Sequence, residues 1–371
     1  MKNKLLLLLA AAFAFVGCHG QLDDTDTEEP HEVIEGAIEI VADRDLIISN
    51  GSDYATLRVV VTDAMGVMHD VSPYAKYYIS GQSKALESNI FTTSEAADYE
   101  VYATYGEGVT ECVVVSAIDG IADLPADNGS GELAHRVLLI QHTGTDCPAC
   151  PRVISTLKTL SEDAEYKSRY CHVASHSYYR TDPGYNEWAL RLSRLFCSGY
   201  YPDVTFNYNK STAYTMEPTD ITSLRNRIKE LQSPYAAVGV SASVTHKDGK
   251  LYVNAEVKSE VTNEFRLAIW VLEDGVYGEQ VGAVADWQHI HENVLRKMHG
   301  EGLVAQIYGE SIGKLKAGQK SHRIFAVDCE KGWNVENCKV VILITSPRGD
   351  SYELENVAVC PVGGSIEYAY N

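Results

Sequence analysis

The pattern of apolar residues divides the chain into three bodies. Between 37 and 118 it falls in short runs rich in β-branched residues, Ala37-Ile38-Glu39-Ile40-Val41, Ala55-Thr56-Leu57-Arg58-Val59-Val60-Val61 and Glu111-Cys112-Val113-Val114-Val115. Asn50-Gly51, Gly66 and Gly106 punctuate them, and short strands at this spacing predict a β-sandwich. Residues 119–132, with Pro, Asp, Asn, Gly and Ser and few large apolar groups, read as a linker. From 133 to 235 strand and helix patterns alternate. Val137 to Gln141 reads as a buried strand. A helix from Pro151 to Ala164 follows, with Val153, Ile154, Leu157, Leu160 and Ala164 on one face. Next come a strand from Cys171 to Ser175, a helix from Asn186 to Cys197, a strand at Val204-Thr205-Phe206 and a fourth strand over 211–216. Asp220 caps a last helix carrying Ile221, Leu224, Ile228 and Leu231. Residues 236–371 return to strands, with Asp248-Gly249 and Asp274-Gly275 as hairpin signals, and predict a second β-sandwich. The fold class expected is multidomain α+β: sandwich, α/β body, sandwich.

The two ends of the charge distribution add a location. Lys2 and Lys4 precede the apolar run Leu5 to Val16, which is too short to span a membrane. It closes in Phe15-Val16-Gly17-Cys18, which resembles a bacterial lipobox. Residues 1–17 are thus expected to be a signal peptide, with Cys18 lipidated after cleavage. Residues 18–36 form an acidic tether with Asp23, Asp24, Asp26, Glu28 and Glu29, resembling the stretch that sends lipoproteins of the Bacteroidetes to the cell surface. Cleavage leaves 29 basic against 51 acidic residues, a net charge of −22. No basic stripe exists to neutralise phosphates, so nucleic acid is excluded as a partner. Acyl chains contribute about 0.8 kcal/mol per buried CH₂ and hold such a body at a membrane without a spanning helix.

Nine cysteines carry most of the candidate chemistry. Cys147-Pro148-Ala149-Cys150 stands between a predicted strand and a predicted helix. There the first thiol can attack a disulfide while the second lies close enough to displace it, and the helix N-terminus favours the thiolate. Three uses compete for this pair: thiol–disulfide exchange, a structural disulfide in an oxidising compartment, and a zinc site completed from His142, His172 and His176. Cys338 with Cys360, placed symmetrically about Gly349, is one further pairing, and Cys329 with Cys338 a competing one. Buried free cysteines are expected at Cys112, Cys171 and Cys197. His289-Ile290-His291 reads as exposed polar strand, and Arg348-Gly349-Asp350 as a hairpin turn. No Walker loop, GxSxG elbow or HExxH motif occurs, and neither a cofactor nor a metal is expected.

Several of these segments resemble known families. "Leu-Arg-Val-Val-Val-Thr-Asp-Ala-Met-Gly" with "Asp-Tyr-Glu-Val-Tyr-Ala" resembles bacterial immunoglobulin-like modules. The order of elements from 133 to 235 is similar to the thioredoxin fold. That resemblance implies a nucleophile at Cys147, a resolving thiol at Cys150, and a cis-proline at Pro202 that frees the backbone of Tyr201 to seat a peptide. Asp146, Gln141 and Ala149 depart from the family's Trp, buried acid and His, so a modestly activated thiol is expected rather than a strong oxidant. The segment His142-Thr143-Gly144-Thr145-Asp146-Cys147-Pro148-Ala149-Cys150-Pro151, with "Trp-Val-Leu-Glu-Asp-Gly-Val" and "Glu-Asn-Val-Leu-Arg", resembles the outer-membrane-protein-twenty-eight-related lipoproteins of the Bacteroidetes. The resemblance implies an outer-membrane lipoprotein facing the cell surface or the periplasm.

Two functions of different classes remain open. One is a thiol–disulfide oxidoreductase acting on extracytoplasmic proteins, with a protein thiol substrate or redox partner. The other is a non-catalytic lipoprotein that binds a surface protein, glycan or host matrix, its cysteine pair being a staple.

Overall fold

The computed structural model describes residues 32–209 and 219–371. The signal segment 1–17, Cys18, the acidic run of the tether and the strand expected over 211–216 lie outside the described residues.

The N-terminal body is built from two sheets. Strand Ala55–Thr62 alternates buried and half-buried residues along its whole length, the period-two pattern of a strand with one face on a core. It pairs antiparallel with Ala37–Ala42 and Met68–Asp70. The second sheet runs Leu46–Ile48, Val113–Ile118, Ala97–Tyr105, Lys76–Ile79. The sheets share a core that includes Ile47, Leu57, Val59, Tyr77, Val101 and Val115.

The rest of the chain is organised by one eight-stranded sheet. Its path is Asp203–Phe206, Val137–Thr143, Tyr170–His176, Val294–Met298, Asn263–Glu273, Cys338–Arg348, Ser351–Pro361, with Glu310–Leu315 also pairing Asn263–Glu273. Val137–Thr143 and Tyr170–His176 are parallel and buried nearly throughout, as strands covered on both faces must be. Helices Cys150–Glu162 and Ile221–Leu231 cover one face through Val153, Leu157, Leu160, Leu224 and Ile228. On the other face Leu138, Ile140 and Val173 meet Leu192 and Phe196 of helix Glu187–Phe196. The side chain of Asn186 caps that helix by accepting from the Ala189 N–H at 2.9 Å. The C-terminal strands pack their other face on a four-stranded sheet, Lys320–Asp328, Lys250–Ser259, Val238–Lys247, Ser365–Ile366.

Strand pairing therefore crosses 235/236, where the apolar pattern suggested separate bodies. Val294–Met298 makes the join: Ala174 registers with Val294 on one side, and Trp270 with Met298 on the other. Backbone hydrogen bonds between strands more than a hundred residues apart leave no mark in side-chain periodicity.

Four local expectations need correction. Asp248 and Gly249 both adopt positive φ and close a tight hairpin, Lys247 opposite Lys250, as expected. Asp274-Gly275 does not: Val276 pairs with His291 instead of turning back on its own strand. His289 lies in a 3-10 turn and His291 is buried, so the two do not share an exposed strand face. Cys329, Cys338 and Cys360 are all free thiols. The turn at Gly349-Asp350 pairs Arg348 with Ser351, and a bulge at Ile344/Thr345 shifts the register again, so Cys360 faces Val340 and not Cys338. Cys171 and Cys197 are buried, whereas Cys112 is exposed.

Candidate functional site

The junction between strand Val137–Thr143 and helix Cys150–Glu162 carries the cysteine pair. Pro151 sits in the first helical turn, where its missing N–H costs nothing. The Cys147 N–H donates to the Gly144 carbonyl at 3.1 Å, and the Cys150 N–H to the Cys147 carbonyl at 3.2 Å. Cys147 and Cys150 form a disulfide, with Cα atoms 5.4 Å apart. Gly144 is required by close packing: a Cβ there would stand 2.6 Å from the Cβ of Tyr178.

Asp182 holds the loop from beneath. Its carboxylate accepts from the Thr145 N–H at 2.8 Å, the Gly184 N–H at 2.7 Å and His176 Nδ1 at 2.8 Å. Burial alone would raise its pKa, but these donors hold it below the ordinary carboxylate value. Thr181 adds an outer contact, donating to Asp146 at 2.8 Å.

A segment from the C-terminal half closes over the disulfide. Val276–Tyr277 pairs with Ile290–His291, and the residues between them form a cap. Gln280 Nε2 donates toward the carbonyls of Cys147 at 3.0 Å and Thr145 at 3.1 Å. The Val281 N–H donates to the Thr145 carbonyl at 2.8 Å. Gly282, at positive φ, passes so near Pro148 that a Cβ would stand 2.6 Å from its carbonyl oxygen. Gln288 Nε2 donates to the Pro151 carbonyl and to Ser155 Oγ, both at 3.0 Å. Beneath this cap Cys147 is 2% exposed and Cys150 0%.

The structure brings four of the residues singled out from the sequence to one end of the sheet. The Tyr201–Pro202 peptide is cis, and it precedes the strand on which Asp203 registers with His142 and Val204 with Gln141. The Tyr201 hydroxyl lies 2.9 Å from Ser177 Oγ, and its ring centroid 5.1 Å from that of Tyr178. Cys338 and Cys360 sit instead in the core of the C-terminal sheets. His142, His172 and His176 are engaged elsewhere: His142 with Ser193 and Thr205, His172 with Gln141 and Asn293, His176 with Asp182. Among the described residues no cluster of metal-ligating side chains assembles. Asp182 and Gln280 escaped the sequence reading. Thr181-Asp182-Pro183-Gly184 looks like any surface turn, and Gln280 stands 130 residues from the loop it covers, with no local signal at all.

The sequence model of the family "Outer membrane protein Omp28" matches residues 192–364. No curated protein matches the chain. Among solved structures, HBP35 of Porphyromonas gingivalis is similar in fold, with a TM-score of 0.53 at 14% identity over 65% of this chain and 80% of that one. A domain of the outer membrane lipoprotein Omp28 from Porphyromonas gingivalis is 20% identical, covers 35% of this chain and 90% of its own, and superposes with a TM-score of 0.22. The family resemblance read from the motifs is borne out by the match over 192–364, which agrees with the outer-membrane, lipid-anchored localisation read from the N-terminal segment. No helix among the described residues is long and apolar enough to cross a membrane.

Proposed function

We propose that this protein is a lipid-anchored binding protein of the outer membrane, and that Cys147–Cys150 is a structural disulfide within a thioredoxin-like unit. The observation that carries this reading is the burial of both cysteines beneath Gln280, Val281 and Gly282. An attacking thiol has to reach its substrate's sulfur, and 2% exposure leaves no path while the cap is closed. The surface around the cap supports a binding role. Tyr178, Tyr179, Tyr200, Tyr277 and Val284, on the cap and on the segments that flank the disulfide loop, are all exposed, and exposed large apolar groups suit an interaction surface.

A redox titration of the mature chain, counting alkylated thiols by mass, tests the staple. The midpoint is expected below about −300 mV, the range of structural disulfides. The partner is tested in intact outer membranes: a photo-crosslinking residue in place of Val284 is expected to trap a discrete adduct, and the same residue at Lys84, on the N-terminal body, none. Equal adducts at both positions would remove this face from the interaction.

Thiol–disulfide exchange is the second reading, supported by the convergence of Cys147, Cys150, Tyr201 and Pro202. In it Cys147 thiolate attacks a substrate disulfide, and the first substrate thiolate leaves and takes a proton. The Cys150 thiol then gives up its proton and attacks the Cys147 sulfur, breaking the mixed disulfide. The second substrate thiolate leaves and is protonated, so that the substrate is reduced to two thiols and Cys147–Cys150 is left oxidised. A midpoint between about −270 and −120 mV would transfer the proposal to this chemistry.

A further inference from the structure

The sheet face beneath helix Cys150–Glu162 is apolar at its far end, where Val137, Leu139 and Tyr170 join the helix core. Toward the cap the same face turns polar, with Gln141, Thr143, His172 and His176 in adjacent register. Here helix and sheet part around a cavity of about 380 Å³. Ile154, Leu157, Ala174, Trp287 and Ile290 give it apolar walls; Gln141, His172 and His176 contribute polar groups.

Two of these groups are unsatisfied. Gln141 Nε2 and His176 Nε2 are buried and have no hydrogen-bond partner, and neither has the hydroxyl of Thr143, which registers with His176. The residues are 3%, 1% and 1% exposed. A buried polar atom left unpaired costs about 1–3 kcal/mol, so the two on the cavity lining, Gln141 Nε2 and His176 Nε2, point to an occupant. Their neighbours define what each one offers. His172 Nδ1 accepts from the Asn293 amide at 3.1 Å, so its Nε2–H donates to Gln141 Oε1 at 3.1 Å. That leaves Gln141 presenting N–H. Asp182 engages His176 Nδ1, so Nε2 is the ring atom left without a partner. An amide N–H and an imidazole nitrogen, side by side in a mostly apolar chamber, match a hydroxyl group, which accepts from the one and can pair with the other in either sense. Lys158 and Glu292 both line the cavity and offset each other, so the site favours neither an anion nor a cation.

We propose that this cavity is a binding site for a small uncharged aromatic or alicyclic alcohol, its hydroxyl accepting from Gln141 Nε2 and hydrogen-bonded to His176 Nε2, its ring lying between Leu157 and Trp287. The site is independent of whether the disulfide exchanges. Titration of the mature full-length chain with 2-naphthol and with 2-methylnaphthalene, which lacks the hydroxyl, tests it. Binding of 2-naphthol at least about tenfold tighter is expected, a difference of about 1.4 kcal/mol. Ile290, half exposed at the wall, allows the site to be filled without touching the polar floor. Ile290→Trp is expected to weaken 2-naphthol binding at least tenfold with the thermal midpoint unchanged, and Gln141→Leu to erase the preference between the two probes. No saturation by about 1 mM, equal affinity for both probes, or an Ile290→Trp protein that binds like the parent each overturns the proposal and leaves water as the occupant. If Gln141→Leu fails to fold, the Ile290 variant decides alone.

Discussion

Replacing Gln280 by Ala is expected to accelerate reduction of the Cys147–Cys150 disulfide by dithiothreitol about tenfold to a hundredfold. Four carbonyl oxygens lie around Gln280 Nε2: Cys147 at 3.0 Å, Thr145 and Val281 at 3.1 Å and Gly144 at 3.4 Å. An amide nitrogen has two hydrogens, so two full bonds are lost with the side chain. At about 0.5–1.5 kcal/mol each, the closed cap loses on the order of 1–3 kcal/mol relative to the open one. Reduction requires the open form, whose population rises tenfold for each roughly 1.4 kcal/mol. The variant's equilibrium midpoint should move far less than its rate, because the cap governs access more than the energy of the bond. The measurement is the pseudo-first-order rate of thiol appearance, followed by alkylation and mass. A rate equal to that of the parent protein would mean that the cap does not guard the disulfide.

Acid is expected to destabilise the fold steeply between pH 6.5 and 5. Burial lowers the pKa of five histidines among the described residues, His135 and His299 among them, and of three of the five most strongly. Burial pushes His142 down to about 4, His172 to about 3 and His291 to about 4, from an ordinary value of 6.5. Lys339 adds to the shift at His172 and His176 to that at His291. The unfolded chain binds protons at these sites below pH 6.5 and the folded chain does not, so stability falls as pH falls. At pH 5 each histidine costs roughly 2 kcal/mol, at about 1.36 kcal/mol per pH unit. Three together approach the 5–15 kcal/mol that holds a typical domain folded. Asp182, whose pKa is lowered, acts in the same direction, but its contribution is lost only at lower pH, as the carboxylate protonates. Urea midpoints at pH 7 and pH 5 measure the effect, and His142→Gln should flatten the profile by about a third. His291 belongs to the cap, so disulfide reduction, corrected for thiolate concentration, should also quicken over the same interval. A urea midpoint unchanged from pH 7 to pH 5 would contradict the account.

Local elements were legible because local forces make them. Ala55–Thr62 alternates because one face meets a core, and its β-branched residues suit the pleat. Helix Cys150–Glu162 begins within a residue of its expected start, since Pro151 suits a first turn and Val153, Leu157 and Leu160 fall on one face. Asp248-Gly249 turned as expected because its two positive φ angles suit Asp and Gly. Asp274-Gly275 has the same chemistry and a different outcome. There the following residues find His291 and the disulfide loop more favourable than their own strand, a choice set by partners far away in the chain.

The same divide runs through the candidate site. Chain chemistry alone determined the spacing of Cys147 and Cys150, their place between strand and helix, the position of Pro202, the charge that excludes nucleic acid and the motifs of an outer-membrane family. Each depends on residues within a few positions of one another, or on composition. Only the tertiary structure decided that Cys147 is covered, that Cys338 and Cys360 do not meet, and that Gln141 and His176 look into one chamber. The cap reaches its disulfide across more than 130 residues of chain, and the cysteine register is set by a two-residue turn together with a bulge in the hairpin. Contacts of that kind are set by the packing of whole sheets, where every strand's backbone can pair with any other, and no run of neighbouring side chains records which partner was taken.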